Sequence, residues 1–551
     1  ELTGSFRFQQ EILTSVAIDP ITDDVSIIKT SVVTLAASGV QVVLTDGTAP
    51  LLALRDGEGS FLLTETGFAG KATASVDVDV SSDVDFEGIF TLAVNTLTED
   101  VNQRIMVGGV SVALILPGGP YIRVSGTDVR LEVFGQSISG NFNLEKNGDE
   151  FRGGVSKVDV FLGTGQGTAD ERGFRISDGR GAFLVTNEGV ALEASGAIAL
   201  VGIENVTLQA ERMTVQVNTI ETGPVSASIA TGEYDAGLPV VVDLALPAGP
   251  YTRLSGSGLE LVVFGQSISG NFVVEKQGDT IRAGMSDVEV FLGIDGDTAN
   301  AKGFSITQGF GALVLTGDGL ALEAGGGVEL VGFDSVFTLS AEQMKVQINT
   351  TDEQVTASVD TGSTELYDLD IEANTFRFSG DNVSLTVISA DVTISGSFAV
   401  ERFTETDWVE NPTNSNVEFV ESSVIVLAIS GFSIDLGADA PVKLVNGSGV
   451  FVFTDAGIAG EASIGVEINA SDEISLAGTF GLVFNTAEKA IERRVTVGGE
   501  SKVLSLPAAA ANSTFIRVSG TNIVLNAFGQ SVSGNFNLEK NGDEFRGGVS
   551  K

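Results

Sequence analysis

Lys71–Val80 reads KATASVDVDV. Ala72, Ala74, Val76, Val78 and Val80 alternate with Thr73, Ser75, Asp77 and Asp79. A period of two is the signature of a β-strand, whose successive side chains point to opposite sides of a sheet. The apolar set predicts a buried face and the polar set a wet one. Ser156–Phe161 (SKVDVF) and Met213–Asn218 (MTVQVN) read the same way. Asn147-Gly148-Asp149 and Gly278-Asp279 supply the positive φ that tight hairpin turns need. No long stretch shows the i, i+3, i+4 spacing of an amphipathic helix, so the chain is expected to be nearly all β.

These strands are copied along the chain. An Arg-apolar-Ser-Gly start leads to a Ser-Gly-(Asn/Ser)-Phe step at Gly140, Gly270, Gly396 and Gly534, and Gly4 stands in a fifth version. Between them lie Thr-x-x-Gly turns ending at Gly67, Gly189, Gly319 and Gly457. Each such segment closes on Asn-Thr: Asn95-Thr96, Asn218-Thr219, Asn349-Thr350 and Asn485-Thr486. NFNLEKNGDEFRGGVSK occupies Asn141–Lys157 and, unchanged, Asn535–Lys551. A Val-Gly-Gly segment follows Phe90 and Phe480 and is missing from the two copies between. The expected units are therefore long at 1–122 (truncated at its start), short at 123–252 and 253–376 and long at 377–516. A further unit starts at 517–551.

Two all-β architectures fit. One is an elongated tandem-repeat array, a continuous β-solenoid or stacked meander in which each copy touches its neighbours. The other is a string of β-sandwich domains. Pro-containing joints such as Leu116–Pro120 do not interrupt the alternation, which favours the array. The chain opens on Glu1 and is expected to be a fragment or processed product.

Composition excludes several functions. Asp and Glu number 73 against 30 Lys and Arg, a formal net charge of −43. Such a chain repels nucleic acid and anionic membrane surfaces. No run approaches the ~18 apolar residues of a membrane-spanning helix, so it is not expected to be membrane-embedded. With no Cys and no His, thiol chemistry, His-based triads and Cys/His zinc sites are absent. The carboxylates fall mostly on outward strand positions, and no enzyme is expected. No cofactor is expected either, calcium excepted. The closest approach to a cation site is Gly293-Ile-Asp295-Gly-Asp297, where Asp295 and Asp297 are candidate calcium ligands. Phe numbers 33 against 4 Tyr and one Trp. Phe134, Phe142, Phe264 and Phe272 recur at matched positions and predict rungs of a stacked core, whereas Trp408 lies in a polar insertion.

An acidic, Cys-free, β-rich chain of long, nearly verbatim copies resembles the giant tandem-repeat surface and matrix proteins of bacteria. That resemblance implies an extracellular or cell-surface structural protein, a filament, stalk or matrix fibre. Its partners would be further copies of itself or a continuation of the same array. The alternative it implies is an adhesin or binding module, cation-dependent or not, with its ligand site elsewhere or in variable loops near Trp408.

Overall fold

The computed structural model describes residues 2–18, 25–45, 50–81, 84–236, 238–296, 298–410, 417–436, 441–471, 473–497 and 500–551. Among them the only helical element is a single turn, Ile388–Ala390. Everything else that is regular is antiparallel strand. The chain divides into two compact units, Glu1–Glu260 with Glu275–Gly278, and Leu261–Val274 with Asp279–Lys551.

In the first unit the long strands follow one another as a meander. Leu2–Ile18 pairs with Val25–Thr45, then Pro50–Leu63, Phe68–Ser81 and Val84–Asn95 follow. Val84–Asn95 skips a hairpin and pairs with Tyr121–Val133, which continues through Gln136–Asn147, Glu150–Thr164, Arg172–Thr186 and Gly189–Val201 to Val206–Asn218. The second unit repeats the plan. Thr280–Ile294, Lys302–Thr316, Gly319–Val331 and Phe337–Asn349 lead to Thr375–Val387, Val392–Glu410, Val417–Asp435, Val442–Thr454, Gly457–Ser471 and Ile474–Asn485. Phe515–Ala527, Gln530–Asn541 and Glu544–Ser550 complete it. Of the expected architectures, the antiparallel meander is the one present; neither unit is a string of separate sandwiches. Trp408 lies within a strand, its backbone opposite Phe419, and not in a loop.

The skipped segments are short hairpins laid on one face of the meander: Val101–Leu116, Val225–Leu246, Val355–Ile371 and Ile491–Leu506. The two middle copies, which lack the Val-Gly-Gly sequence, therefore form a covering hairpin from different residues. Each hairpin seals a small core. Leu114 and Leu116 bury against Val32, Leu62, Ala69 and Ala93 in the first. Ile229, Leu244 and Leu246 meet Ala182 and Ala191 in the second. Val359, Leu369 and Ile371 meet Ala312, Val314 and Ala321 in the third. Leu504 and Leu506 meet Val424, Val426, Val450 and Val452 in the fourth. Small residues on the sheet leave room for large ones from the hairpin, and each fully buried Leu or Ile contributes roughly 1.5–3 kcal/mol.

The recurring Asn-Thr pairs hold those hairpins in place. Asn95, Asn218, Asn349 and Asn485 are buried at 0%, 0%, 2% and 0% exposure. Asn95 Nδ2 donates to the carbonyls of Glu99 and Pro117, at the two ends of its hairpin. Asn485 Nδ2 donates to Lys489 and Pro507 in the same manner. Each Oδ1 accepts the amide two residues on, from Leu97, Ile220, Thr351 and Ala487. The following Thr96, Thr219, Thr350 and Thr486 accept amides of the neighbouring strand through Oγ1. A buried carbonyl without a donor costs free energy, so one amide side chain that reaches both hairpin ends answers two needs.

The glycine of the Ser-Gly-(Asn/Ser)-Phe step has an equally local cause. Gly140 has φ +148°, and a Cβ there would meet the carbonyl oxygens of Ser156 and Lys157 at 3.1 Å. The opposing strand bulges at that point, with Lys157 at φ +50°. Glycine tolerates both the conformation and the close approach.

Candidate functional site: the uncovered apolar face

Following one row of cross-strand neighbours across each unit separates the two faces. In the first unit Ala37, Gly59, Ala72, Leu92, Val124, Leu144, Gly153, Phe183, Leu192 and Val217 stand side by side. Every one is apolar or glycine. One residue earlier or later along each strand, the row on the opposite face runs Ala36, Ser60, Lys71, Ala93, Arg123, Glu145, Arg152, Leu184, Ala191 and Asn218. In the second unit the apolar row is Met285, Gly311, Ala324, Val346, Phe378, Val400, Leu427, Phe451, Gly460, Phe484 and Ile516.

The hairpins lie on the mixed face. Ala69 and Ala93, on that face, are sealed under the first hairpin. The alternation in Lys71–Val80 is therefore as read, with its sides reversed. Ala72, Ala74 and Val76 line an open groove, while Lys71 and Thr73 share the hairpin side. The physical reason is that a sheet buries only the face another element covers, and here the covering elements are short and sit elsewhere.

Large side chains on the apolar face stay open to solvent. Leu35, Leu92, Ile122 and Val124 are 41%, 44%, 51% and 38% exposed. Phe rings shield the backbone by lying over cross-strand glycines. A Cβ on Gly70 would lie 2.2 Å from the Phe61 ring, and one on Gly126 2.3 Å from that of Phe142. This packing accounts for Phe142 better than a stacked core does. Phe134 and Phe264 are corrected outright: they occupy turns at φ +49° and are 74% and 75% exposed. Phe528, the third in this setting, is 72% exposed.

Two concavities mark the face. One, of about 520 Å³, is lined by Phe6, Leu35, Val40, Phe61, Phe90 and Leu92. The other, of about 420 Å³, is lined by the matching Phe432, Phe451, Phe480 and Leu482, with Ile429 and Val518. Only Glu58 in the first carries charge, and the second has none.

The opposite face carries the ionisable groups. Glu145, only 4% exposed, is held by Arg123 Nε at 2.7 Å and by Arg152. Burial drives its carboxyl up, yet the two guanidinium partners outweigh that and leave it below the ordinary carboxylate range. Glu323 repeats the arrangement with Lys345 at 2.8 Å, Gln347 at 2.7 Å and the Tyr367 hydroxyl of the covering hairpin. Its pKa is again raised by burial and lowered further by those bonds, and Tyr367 is pushed far above its ordinary value by burial and by Glu323. The Glu323 network joins hairpin to sheet through Tyr367, whereas both partners of Glu145 stand on the sheet itself.

Asp295 stands in a turn at φ +57°, its carbonyl accepting both the amide and the hydroxyl of Thr298 at 3.0 Å. Asp297 lies outside the described residues. Among the described residues no cluster of three or more Asp or Glu is arranged to hold a metal.

No protein-family model and no curated protein matches the chain. Solved structures do match. The ferric preacinetobactin receptor BauA from Acinetobacter baumannii is 10% identical over 98% of this chain and 75% of its own, with a TM-score of 0.18. The pyoverdine outer membrane receptor FpvA from Pseudomonas aeruginosa PAO1, bound to pyoverdine, is 9% identical over 98% and 74%, at 0.17. The copper transporter OprC is 11% identical over 98% and 74%, at 0.20. These are receptors and a transporter.

They correct the resemblance to giant tandem-repeat surface proteins. The filament, stalk, matrix-fibre and adhesin readings are withdrawn with it, as is partnership with further copies. The expectation of a chain kept out of membranes is corrected as well. It rested on apolar run length, which is a criterion for helices. A strand presents apolar groups at every second residue and needs no such run. No helix among the described residues is long and apolar enough to cross a membrane, and that says nothing of strands. At TM-scores of 0.18, 0.17 and 0.20 the matched chains do not superpose on this one, and no barrel, ligand or transport activity passes from them to it.

Proposed function

We propose that this is a cell-surface protein whose apolar face lies against lipid hydrocarbon, with the hairpin-bearing face turned to water. The observation that carries the reading is the pair of all-apolar cross-strand rows, uncovered in both units. Strands of 12 to 15 residues extend roughly 40–50 Å at ~3.3 Å per residue, longer than a ~30 Å hydrocarbon layer is thick. Their backbone groups are paired with neighbouring strands, which removes the main cost of contact with hydrocarbon. The exposed Phe134, Phe264 and Phe528 add apolar tips. A net charge of −43 opposes close stacking of two copies and restricts the surface to uncharged or zwitterionic lipid.

Flotation with phosphatidylcholine vesicles tests this. The intact chain is expected to rise with the vesicles, and Leu92→Glu with Leu482→Glu to stay behind. Flotation unchanged by both substitutions, or absent for the intact chain, overturns the reading. Two smaller proposals stand apart from it. The segments 1–122, 123–252, 253–376, 377–516 and 517–551 are copies of one ancestral unit. Asp295 and Asp297 associate weakly with calcium, and calorimetric heats unchanged by Asp295→Asn would sink that idea.

A further inference from the structure

The two concavities on the apolar face are one site built in two sizes. Ala37, Gly59, Ala72 and Leu92 stand side by side in the first, and Ile429, Gly449, Ala462 and Leu482 in the second. Further along the same strands Val40 opposes Gly57 and Ala74 opposes Phe90. In the second unit Phe432 opposes Gly447 and Ile464 opposes Phe480. Three positions therefore carry larger residues in the second groove: Ile429 for Ala37, Phe432 for Val40 and Ile464 for Ala74. The volume is smaller to match, about 420 Å³ against about 520 Å³.

The grooves are also walled alike. Phe61 and Phe90 rise beside the first, Phe451 and Phe480 beside the second. Further rings brace these walls, Phe142 at 6.2 Å from Phe90 and Phe536 at 6.4 Å from Phe480. Grooves of this size fall in the range that holds one small apolar ligand.

The chemistry of the linings selects the occupant. Their polar side chains are engaged elsewhere. The Thr73 and Thr91 hydroxyls bond each other at 2.9 Å, and those of Ser448 and Ser463 do so at 3.0 Å. Glu58 stands in register with Thr73, which puts it on the hairpin side. The floor strands Pro50–Leu63 and Val442–Thr454 are paired with a neighbour on each edge. A polypeptide laid in either groove would bring amides and carbonyls that find no partner, at a cost in free energy. A hydrocarbon chain brings none. A second copy of this chain, or a fatty-acid carboxylate, would also meet the repulsion of a net charge of −43. The acyl chain of a zwitterionic lipid meets neither obstacle.

We propose that each groove seats one acyl chain of a bilayer phospholipid, and that the first admits a wider, methyl-branched chain that the second resists. This inference rests on the lipid-contact reading and adds to it that lipid occupies two fixed positions on the apolar face. Leu144, Phe183, Leu192 and Val217 share that face and line neither groove.

Phosphatidylcholine vesicles whose acyl chains carry a photoreactive diazirine test this. The floated full chain is irradiated, and the adducts are mapped by mass spectrometry of its peptides. With a straight chain, adducts at Phe61, Phe90, Phe451 and Phe480 are expected to exceed those at Leu144, Phe183, Leu192 and Val217 at least about fivefold. With a methyl-branched chain, the second groove is expected to lose about fivefold relative to the first, because added methyl groups crowd Phe432 and Ile464. Ala37→Ile with Val40→Phe and Ala74→Ile, the residues that the second groove already carries, is expected to give the first groove the same loss. Adducts spread evenly over a chain that still floats overturn the grooves and leave the lipid-contact reading standing. A chain that does not float overturns both. An equal response of the two grooves to branching overturns the assignment of the wider chain to the first.

Discussion

Replacing Asn349 by Ala isolates the clamp that secures the third hairpin. Its Nδ2 donates to Glu353 at 2.9 Å and to Ile371 and Glu372 at 3.0 Å. Its Oδ1 accepts the amide and hydroxyl of Thr351 at 2.9 and 2.8 Å. A carboxamide has two donors and two acceptor sites, so about four full bonds are made at once. At roughly 0.5–1.5 kcal/mol each, their loss weakens hairpin docking by about 2–6 kcal/mol. The side chain is 2% exposed, so water does not readily replace it. Because each 1.4 kcal/mol is a factor of ten, amide exchange in Val355–Val359 and Tyr367–Ile371 is expected to accelerate roughly 30- to 20,000-fold. Exchange of Val225–Leu246, under its own clamp, is expected to stay unchanged. Measurement is by hydrogen exchange of the full chain, resolved by peptide. An acceleration below about threefold would show that the apolar core under the hairpin holds it without the clamp, and would refute the reasoning.

Other perturbations address other links. Acid should loosen the third hairpin: the Glu323 carboxyl is depressed in the folded chain, so its contribution is complete above the ordinary value of 4.5 and is lost as pH falls through the lower folded value. Exchange of Tyr367–Ile371 measured from neutral to acid pH checks the sign, and a hairpin that tightens on acidification contradicts it. Gly70→Val forces a side chain into the Phe61 ring and is expected to cost about 1–3 kcal/mol in urea unfolding of the first unit. Phe134→Asn places a residue suited to positive φ in the turn, so it should raise stability by roughly 0.5–1 kcal/mol. If the lipid-contact reading holds, the same substitution reduces vesicle flotation.

Much of the fold was legible because its causes are local. Strand alternation, Gly-containing turns and the repeat of Ser-Gly-(Asn/Ser)-Phe all reflect geometry within a few residues. The Asn-Thr pairs were visible as a regularity, but their purpose was not. Asn485 acts on Lys489 and on the distant Pro507, and only folding brings the latter within 2.8 Å. The candidate site was misread for a related reason. Ala72, Ala74 and Val76 look like core residues in any strand. Periodicity shows that two faces differ and does not show which one another element covers. A usable signal was available in the shortness of the segments left to do the covering.

The sequence by itself determined that this chain is antiparallel β-structure in repeated copies, because backbone conformation and turn chemistry are encoded residue by residue. It also determined the chemical contrast between the faces. The tertiary structure alone decided that the hairpins seat on the mixed face and that the apolar rows stay open. Those outcomes depend on contacts between residues far apart in the chain.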